Sequence, residues 1–188
     1  MKNILSKKAA FEMSVGTIVT IVLSVTLLVL GIFFVQQIFS SAKGVVDLTD
    51  QQLRNEINKL FSEENRISIY PSTRLVEIKQ ETTDGVGIGI KNLLTGASGD
   101  ATFSYAVSVS DADLEEKCGV NEEEVEGWIA TGRAESDIPI PSGDISTQKV
   151  LFEIPTGAPL CTIRFRINVQ ADGDSYATDF FDLRVKAK

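Results

Sequence analysis

The chain has 188 residues, two cysteines, no histidine and a formal net charge of −8. Without histidine there is no Ser-His or Cys-His pair, and the commonest general base and metal ligand are both gone. The acidic balance speaks against nucleic acid as a partner and against adhesion to anionic lipid by charge.

Val15 to Val35 (VGTIVTIVLSVTLLVLGIFFV) is 21 residues without a charge. At about 1.5 Å per residue it is roughly 30 Å long as a helix, the thickness of a bilayer core. A transmembrane helix is predicted over residues 13–39, behind a basic leader at 1–12. Lys2, Lys7 and Lys8 stand before the span against the single acid Glu12, and Lys43, Asp47 and Asp50 follow it. The positive-inside rule then puts the N-terminus in the cytoplasm and everything after about residue 40 outside. That outer part, 40–188, holds 15 Lys and Arg against 25 Asp and Glu. Within the span, Thr17, Thr20, Ser24 and Gly31 fall in an arc of about 60° at 100° per residue, a small-residue stripe suited to close helix packing in lipid.

Residues 40–64 keep a helical pattern, as an extension or stalk. Val46, Leu53, Ile57 and Leu60 share a face at spacings of seven, four and three, and Thr49 with Gln52 forms a capping-box signal just after Gly44. The helix therefore either runs on or breaks near Gly44–Thr49 and restarts, its narrow stripe resting on its own domain or on a neighbouring copy.

From Arg66 the apolar period becomes two. RISIY, RLVEIK, GVGIGIKN and ATFSYAVSVS read as strands, separated at Pro71, at Asp84-Gly85 and by the TGASGD turn. Gly85, Gly87 and Gly89 lie on one face of the third, where another backbone or ring is expected close by. Residues 111–146 interrupt the pattern: NEEEVEGWIATG carries the signals of a short helix, and IPIPSGD is extended. TQKVLFEI, LCTIRFRINVQ and YATDFFDLRVK complete seven strands, the last two joined by a hairpin at Asp172-Gly173. The fold class expected for 65–188 is thus mainly β: an extracytoplasmic, antiparallel, immunoglobulin-like β-sandwich behind a long N-terminal helix.

Cys118 and Cys161 both lie on the outer side, where a pair of this kind is a disulfide before it is a metal site. Cys161 alternates in register with Ile163, Phe165 and Ile167, so the bond is expected to tie the irregular stretch to the core. It would close a loop of 42 intervening residues, worth roughly 3–4 kcal/mol by chain entropy. No nucleophile elbow or phosphate loop occurs, so no catalytic residue and no cofactor is assigned. The acidic turns Asp111-Ala112-Asp113 and Asp172-Gly173-Asp174 offer oxygens suited to calcium but lack its loop signature, and no metal ligand is assigned.

Lys7-Lys8-Ala9-Ala10 followed by Phe11-Glu12 and the apolar helix resembles the class III signal of archaeal type IV pilin-like proteins, including archaellins and archaellum accessory subunits. The resemblance covers residues 1 to about 40 by motif and the remainder by architecture. It implies cleavage by a prepilin peptidase at the Ala10–Phe11 bond and packing of the helix with other copies or with filament and envelope proteins. One departure stands out: Glu12 would be the second mature residue, where bacterial pilins carry their assembly glutamate fifth. Two other readings use the same residues. An uncleaved single-pass anchor needs the lysines only for topology; a secretory signal would be cut behind Ser40-Ser41-Ala42, although its apolar core is too long for one.

Overall fold

The protein is described by a computed structural model over residues 4–40, 44–62, 64–95 and 101–188, with the side chains of the first helix described for 16–34. It divides into two units, Met1–Lys43 and Gly44–Lys188.

The first unit is one helix, α1 (Ile4–Ser40). It starts well before the span expected at 13, because the leader's Leu, Lys and Ala are good helix formers in their own right. Its segment Gly16–Phe34 has a mean hydropathy of 2.7 over 19 residues, long and apolar enough to cross a membrane.

The second unit begins with the break-and-restart alternative. A 3₁₀ turn (Val45–Asp47) follows Gly44, and α2 (Asp50–Leu60) starts afresh behind Thr49. The capping box is closed on both sides: the Gln52 amide donates to Thr49 Oγ1 at 3.3 Å, and the Thr49 amide to Gln52 Oε1 at 3.0 Å. Leu53 and Ile57 are buried as expected, but Val46 is 46 % exposed and its neighbour Val45 is buried instead. The 3₁₀ turn explains the exchange, since its rotation per residue differs from the α-helical period that chose Val46.

Among the described residues nine strands then form two sheets. They are β1 (Ile67–Tyr70), β2 (Leu75–Lys79), β3 (Thr83–Lys91), β4 (Ala101–Val109), β5 (Ile129–Thr131), β6 (Ala134–Ile140), β7 (Ile145–Glu153), β8 (Thr162–Ala171) and β9 (Asp174–Lys186). One sheet runs β1-β3-β7-β5 and the other β2-β9-β8-β4-β6. Between them Phe152 of the first sheet meets Phe165 and Phe181 of the second, at ring-centroid distances of 5.0 and 6.0 Å. The expected β-sandwich is present, with four corrections.

The arrangement is not wholly antiparallel, because β2 pairs with β9 in parallel, Leu75 opposite Asp182 through Lys79 opposite Lys186. Asp84-Gly85 is no turn; both lie inside β3, and the chain reverses at Gln80–Glu81, where Glu81 takes φ 62°. A Cβ on Gly85 would run into the Val150 carbonyl, so this glycine serves strand contact and not reversal. The helix expected over 121–132 stops at Glu126: α4 (Glu122–Glu126) is preceded by the short α3 (Leu114–Cys118), and the chain after it enters β5 and β6. The "insertion" at 111–146 therefore supplies a strand to each sheet. Of the TGASGD turn, residues 96–100 lie outside the described residues.

The glycine row of β3 has a definite use. A Cβ on Gly87 would strike Leu53, and one on Gly89 would strike Ile57 and Phe61. The stripe of α2 thus lies on its own domain, seated on bare strand backbone. Lys149 of β7 pins the start of that helix, donating to the Leu48 carbonyl at 2.8 Å and pairing with Asp50 at 2.9 Å. The Lys149 hydrogen bond holds the Asp50 carboxyl below its ordinary range.

Candidate functional site

Four places bear on function, and each follows from its local sequence. The first is the leader bond Ala10–Phe11, which lies within α1; the side chains of both residues, and Lys2 and Lys43, lie outside those described. Ser41 and Ala42 of the alternative cut likewise lie outside the described residues.

The second is the stripe on α1. Ser24 Oγ donates to the Thr20 carbonyl at 2.8 Å, and Thr20 Oγ1 lies 3.1 Å from the Gly16 carbonyl and 2.9 Å from that of Thr17. Hydroxyls bonded back to their own helix enter hydrocarbon without an unmet donor. Beside Gly31 there is open space, nothing lying within 4 Å of a Cβ built there. The stripe is therefore a shallow, polar-satisfied surface.

The third is the disulfide. Cys118 and Cys161 are bonded, with their Cα atoms 5.8 Å apart. Cys118 closes α3 and is buried, while Cys161 immediately precedes β8 and is half-buried at the end of the inward row Ile163, Phe165, Ile167 and Val169. Beside the bond is an open hollow of about 520 Å³ lined by Ser110, Asp111, Lys117, Cys161, Thr162, Arg164 and Asp182. Its charges are already matched, Lys117 with Asp111 at 2.9 Å and Arg164 with Asp182 at 2.9 Å. Hydrogen bonding from Lys117 holds the Asp111 carboxyl below its usual range and raises the Lys117 ammonium. Asp111 is thus engaged within the fold, and at the other acidic turn Asp172 Oδ1 accepts the Thr102 amide at 2.9 Å. Among the described residues no group of three or more acidic or thiol side chains is placed to hold a metal ion.

The fourth is the outer face of the β2-β9-β8-β4-β6 sheet. Alternation brings Arg164, Arg166 and Asn168 of β8 outward, opposite Asp182, Phe180 and Thr178 of β9. Two of these cross-strand pairs are closed by polar bonds: Arg164 Nε and Nη2 donate to Asp182 at 2.9 and 3.2 Å, and Thr178 Oγ1 to Asn168 Oδ1 at 3.1 Å. The pair between them, Arg166 and Phe180, is open. Arg166 has no ion pair or side-chain hydrogen bond among the described residues, and Phe180 is 41 % exposed. The sequence signal for Arg166 is its alternation with the inward Phe165 and Ile167; that for Phe180 is the doublet Phe180-Phe181, one ring of which an alternating strand must turn outward.

No family model matches the chain, and no curated protein matches it. Among solved structures it is similar to the Pseudomonas fluorescens alkylpurine DNA glycosylase AlkC bound to DNA containing an abasic site analog, at 12 % identity and a TM-score of 0.31 over 63 % of this chain and 30 % of that one. It is similar to a PapD-like domain of human CEP192, at 11 % identity and a TM-score of 0.34 over 69 % of this chain and 93 % of that one. It is also similar to a family 123 glycoside hydrolase from Clostridium perfringens, at 13 % identity and a TM-score of 0.32 over 61 % of this chain and 23 % of that one. The chain spans under a third of the glycosylase and of the hydrolase, and likenesses of this size carry no argument about function.

Proposed function

We propose that this protein is a membrane-anchored, extracytoplasmic structural subunit, type IV pilin-like, that serves in or beside a surface filament and not as a catalyst. The observation that carries the proposal is an apolar helix of membrane-crossing length followed directly by a disulfide-bonded β-sandwich. A disulfide forms and persists outside the cytoplasm, and the lysine-rich leader keeps the other end inside. Prepilin peptidase cuts Ala10–Phe11, and the helix then packs with other copies or with filament and envelope proteins along Thr17, Thr20, Ser24 and Gly31.

A second reading, an uncleaved anchor presenting the sandwich to another envelope protein, has one observation in its favour. The hydroxyls of Thr20 and Ser24 are satisfied within α1, so the helix is content in lipid alone.

Mass spectrometry of the native N-terminus separates the two. A chain beginning at Phe11 supports processing; one beginning at Met1 removes the pilin-like reading and leaves the anchor; one beginning at Lys43 makes the segment a secretory signal. For the stripe, Gly31→Leu keeps apolarity while blocking close approach, so association in membranes should weaken with insertion intact. Thr26, whose hydroxyl bonds to the Val22 carbonyl at 2.8 Å, lies off the stripe and is the control position. Equal association of Gly31→Leu and the unsubstituted chain would remove the stripe from the argument.

A further inference from the structure

We propose that the outer face of the β2-β9-β8-β4-β6 sheet is the docking surface for a second copy of this chain, anchored on Arg166 and Phe180 and recognising the acidic α3–α4 segment of that copy. The proposal deepens the assembly reading and rests on it, since it says which surfaces of neighbouring sandwiches meet.

The argument begins with charge. Besides the exposed Glu135 and Asp137 of the edge strand β6, the residues that β2, β9, β8 and β4 turn outward include five cations, Lys79, Arg164, Arg166, Arg184 and Lys186, against two carboxylates, Glu77 and Asp182. This cationic face stands on a chain whose net charge is −8. Both carboxylates are fully used: Asp182 by Arg164, and Glu77 by Arg184 and Lys186 together. Arg166 stands at the middle of the central strand and is in no ion pair among the described residues.

The surface around it is shaped for contact. Next to Arg166 on one side lies Phe180, and on the other Ser108 of β4. Outward on β4 stand only Thr102, Ser104, Ala106 and Ser108, a low floor beside the two long side chains. An arginine and an aromatic ring, ringed by polar pairs that are already closed, is the composition of an interaction hot spot.

The occupant follows from complementarity. Glu115, Glu116, Glu122, Glu123 and Glu124 are all exposed on α3 and α4, and none is in an ion pair among the described residues. The acidic segment borders the cationic face, Lys117 of α3 lining one hollow with Arg164 and Asp182, so the contact between copies joins unlike surfaces and either closes reciprocally in a pair or runs on from copy to copy. Copies held in one membrane meet at high effective concentration, so a modest contact of this kind suffices.

The test uses the full chain, fused at its C-terminus to donor or acceptor fluorophores, in phosphatidylcholine vesicles. Association read by energy transfer should fall as salt rises from about 0.05 to about 0.5 M, as the charges are screened. Arg166→Glu should weaken association about tenfold or more, and so should the triple change Glu122→Lys, Glu123→Lys, Glu124→Lys. Mixing the two variants should restore association to within about threefold of the unsubstituted chain, because the swapped charges again complement each other. Recovery in the mixture also shows that neither variant is misfolded. A chain that does not associate, association indifferent to salt, Arg166→Glu without effect, or a mixture that fails to recover would each overturn the proposal. A native N-terminus at Met1 would remove the pilin-like reading, while the contact between copies stands or falls by its salt dependence and charge exchange, so the two failures are distinguishable.

Discussion

The outer face of the β1-β3-β7-β5 sheet is emptied of side chains at Gly87 and Gly89 and then roofed by α2, whereas the outer face of the opposite sheet carries arginines and has no such roof among the described residues of Gly44–Lys188. The same sandwich thus treats its two surfaces in opposite ways. On the roofed side, Leu53 and Ile57 are removed from water against bare strand, and the contribution of that face is to stability. On the open side the long cations keep their heads in water, and little folding energy depends on them. The difference teaches where to look for each kind of effect: substitutions on the roofed face should be felt in folding, and those on the open face in association. Trp128, the sole tryptophan of the chain and buried in the sandwich, reports unfolding of that unit alone in the detergent-solubilised full chain.

The largest effect is expected where the open sheet is fastened at its rim. Removing the Cys118–Cys161 bond, with its sequence separation of 43, releases a loop whose closure is worth about 4 kcal/mol in the chain-entropy model. Reduction, or Cys118→Ser with Cys161→Ser, should lower the urea midpoint accordingly. An unchanged midpoint would mean that the bond constrains nothing the packing does not already hold.

On the roofed face, Ile57→Ala should destabilise by about 3 kcal/mol, because Ile57 is fully buried at the helix–sheet contact. Gly89→Ala attacks the same contact from below. Its new methyl meets Ile57 and Phe61, an overpacking of about 1–3 kcal/mol. If either substitution is silent in the Trp128 melt while amide exchange in α2 accelerates, the roof opens separately from the sandwich, and the two faces differ less than their packing suggests.

Between the sheets, Tyr105 offers a pH test. Burial, then the nearby Glu135, pushes its phenol up to about 12 from an ordinary 10.0, and its hydroxyl donates to the Gly132 carbonyl at 3.1 Å. The folded state therefore holds this proton more tightly than the unfolded state does. Its contribution is fully present below pH 10 and is lost as pH rises from about 10 to about 12, on the order of 2–3 kcal/mol. Tyr105→Phe should flatten this alkaline slope after a small constant loss for the missing hydrogen bond. A slope equal to that of the unsubstituted chain would assign the alkaline loss elsewhere.

Much of the roofed face was legible in the sequence. Leu53 and Ile57 at i and i+4, the Thr49–Gln52 box and the glycine row of β3 each point to their part in it, since local periodicity decides them. The open face was legible only indirectly, as the side opposite to Ile163, Phe165 and Ile167 on β8. What was hidden depends on partners far along the chain. The parallel pairing of β2 with β9 joins residues about a hundred positions apart, and no local pattern encodes it. Strand β5 is three residues long, too short to show a period of two, and the acids and Gly127 before it read equally well as a longer helix. Asp84-Gly85 misled because a turn dipeptide was read by type, whereas its glycine is there to let the Val150 carbonyl come close.

The smallest effect on folding is expected from Arg166→Ala and Phe180→Ser, and it makes the comparison sharpest. Arg166 forms no ion pair or side-chain hydrogen bond among the described residues, and Phe180 is already 41 % exposed. Truncating the arginine gives up no side-chain polar bond among the described residues. Exchanging the ring for a serine gives up part of one side chain's burial, and a β-propensity difference on an interior strand adds a few tenths of a kcal/mol. Each variant should therefore melt within about 0.5 kcal/mol of the unsubstituted chain, the range of ordinary surface changes. Ile57→Ala, by contrast, should move the melt several times further and leave association between copies untouched. A loss of 2 kcal/mol or more, about the size of a core deletion, from either open-face variant would show that the open face is fastened to its own fold after all, and its two long side chains would then be explained without a second copy.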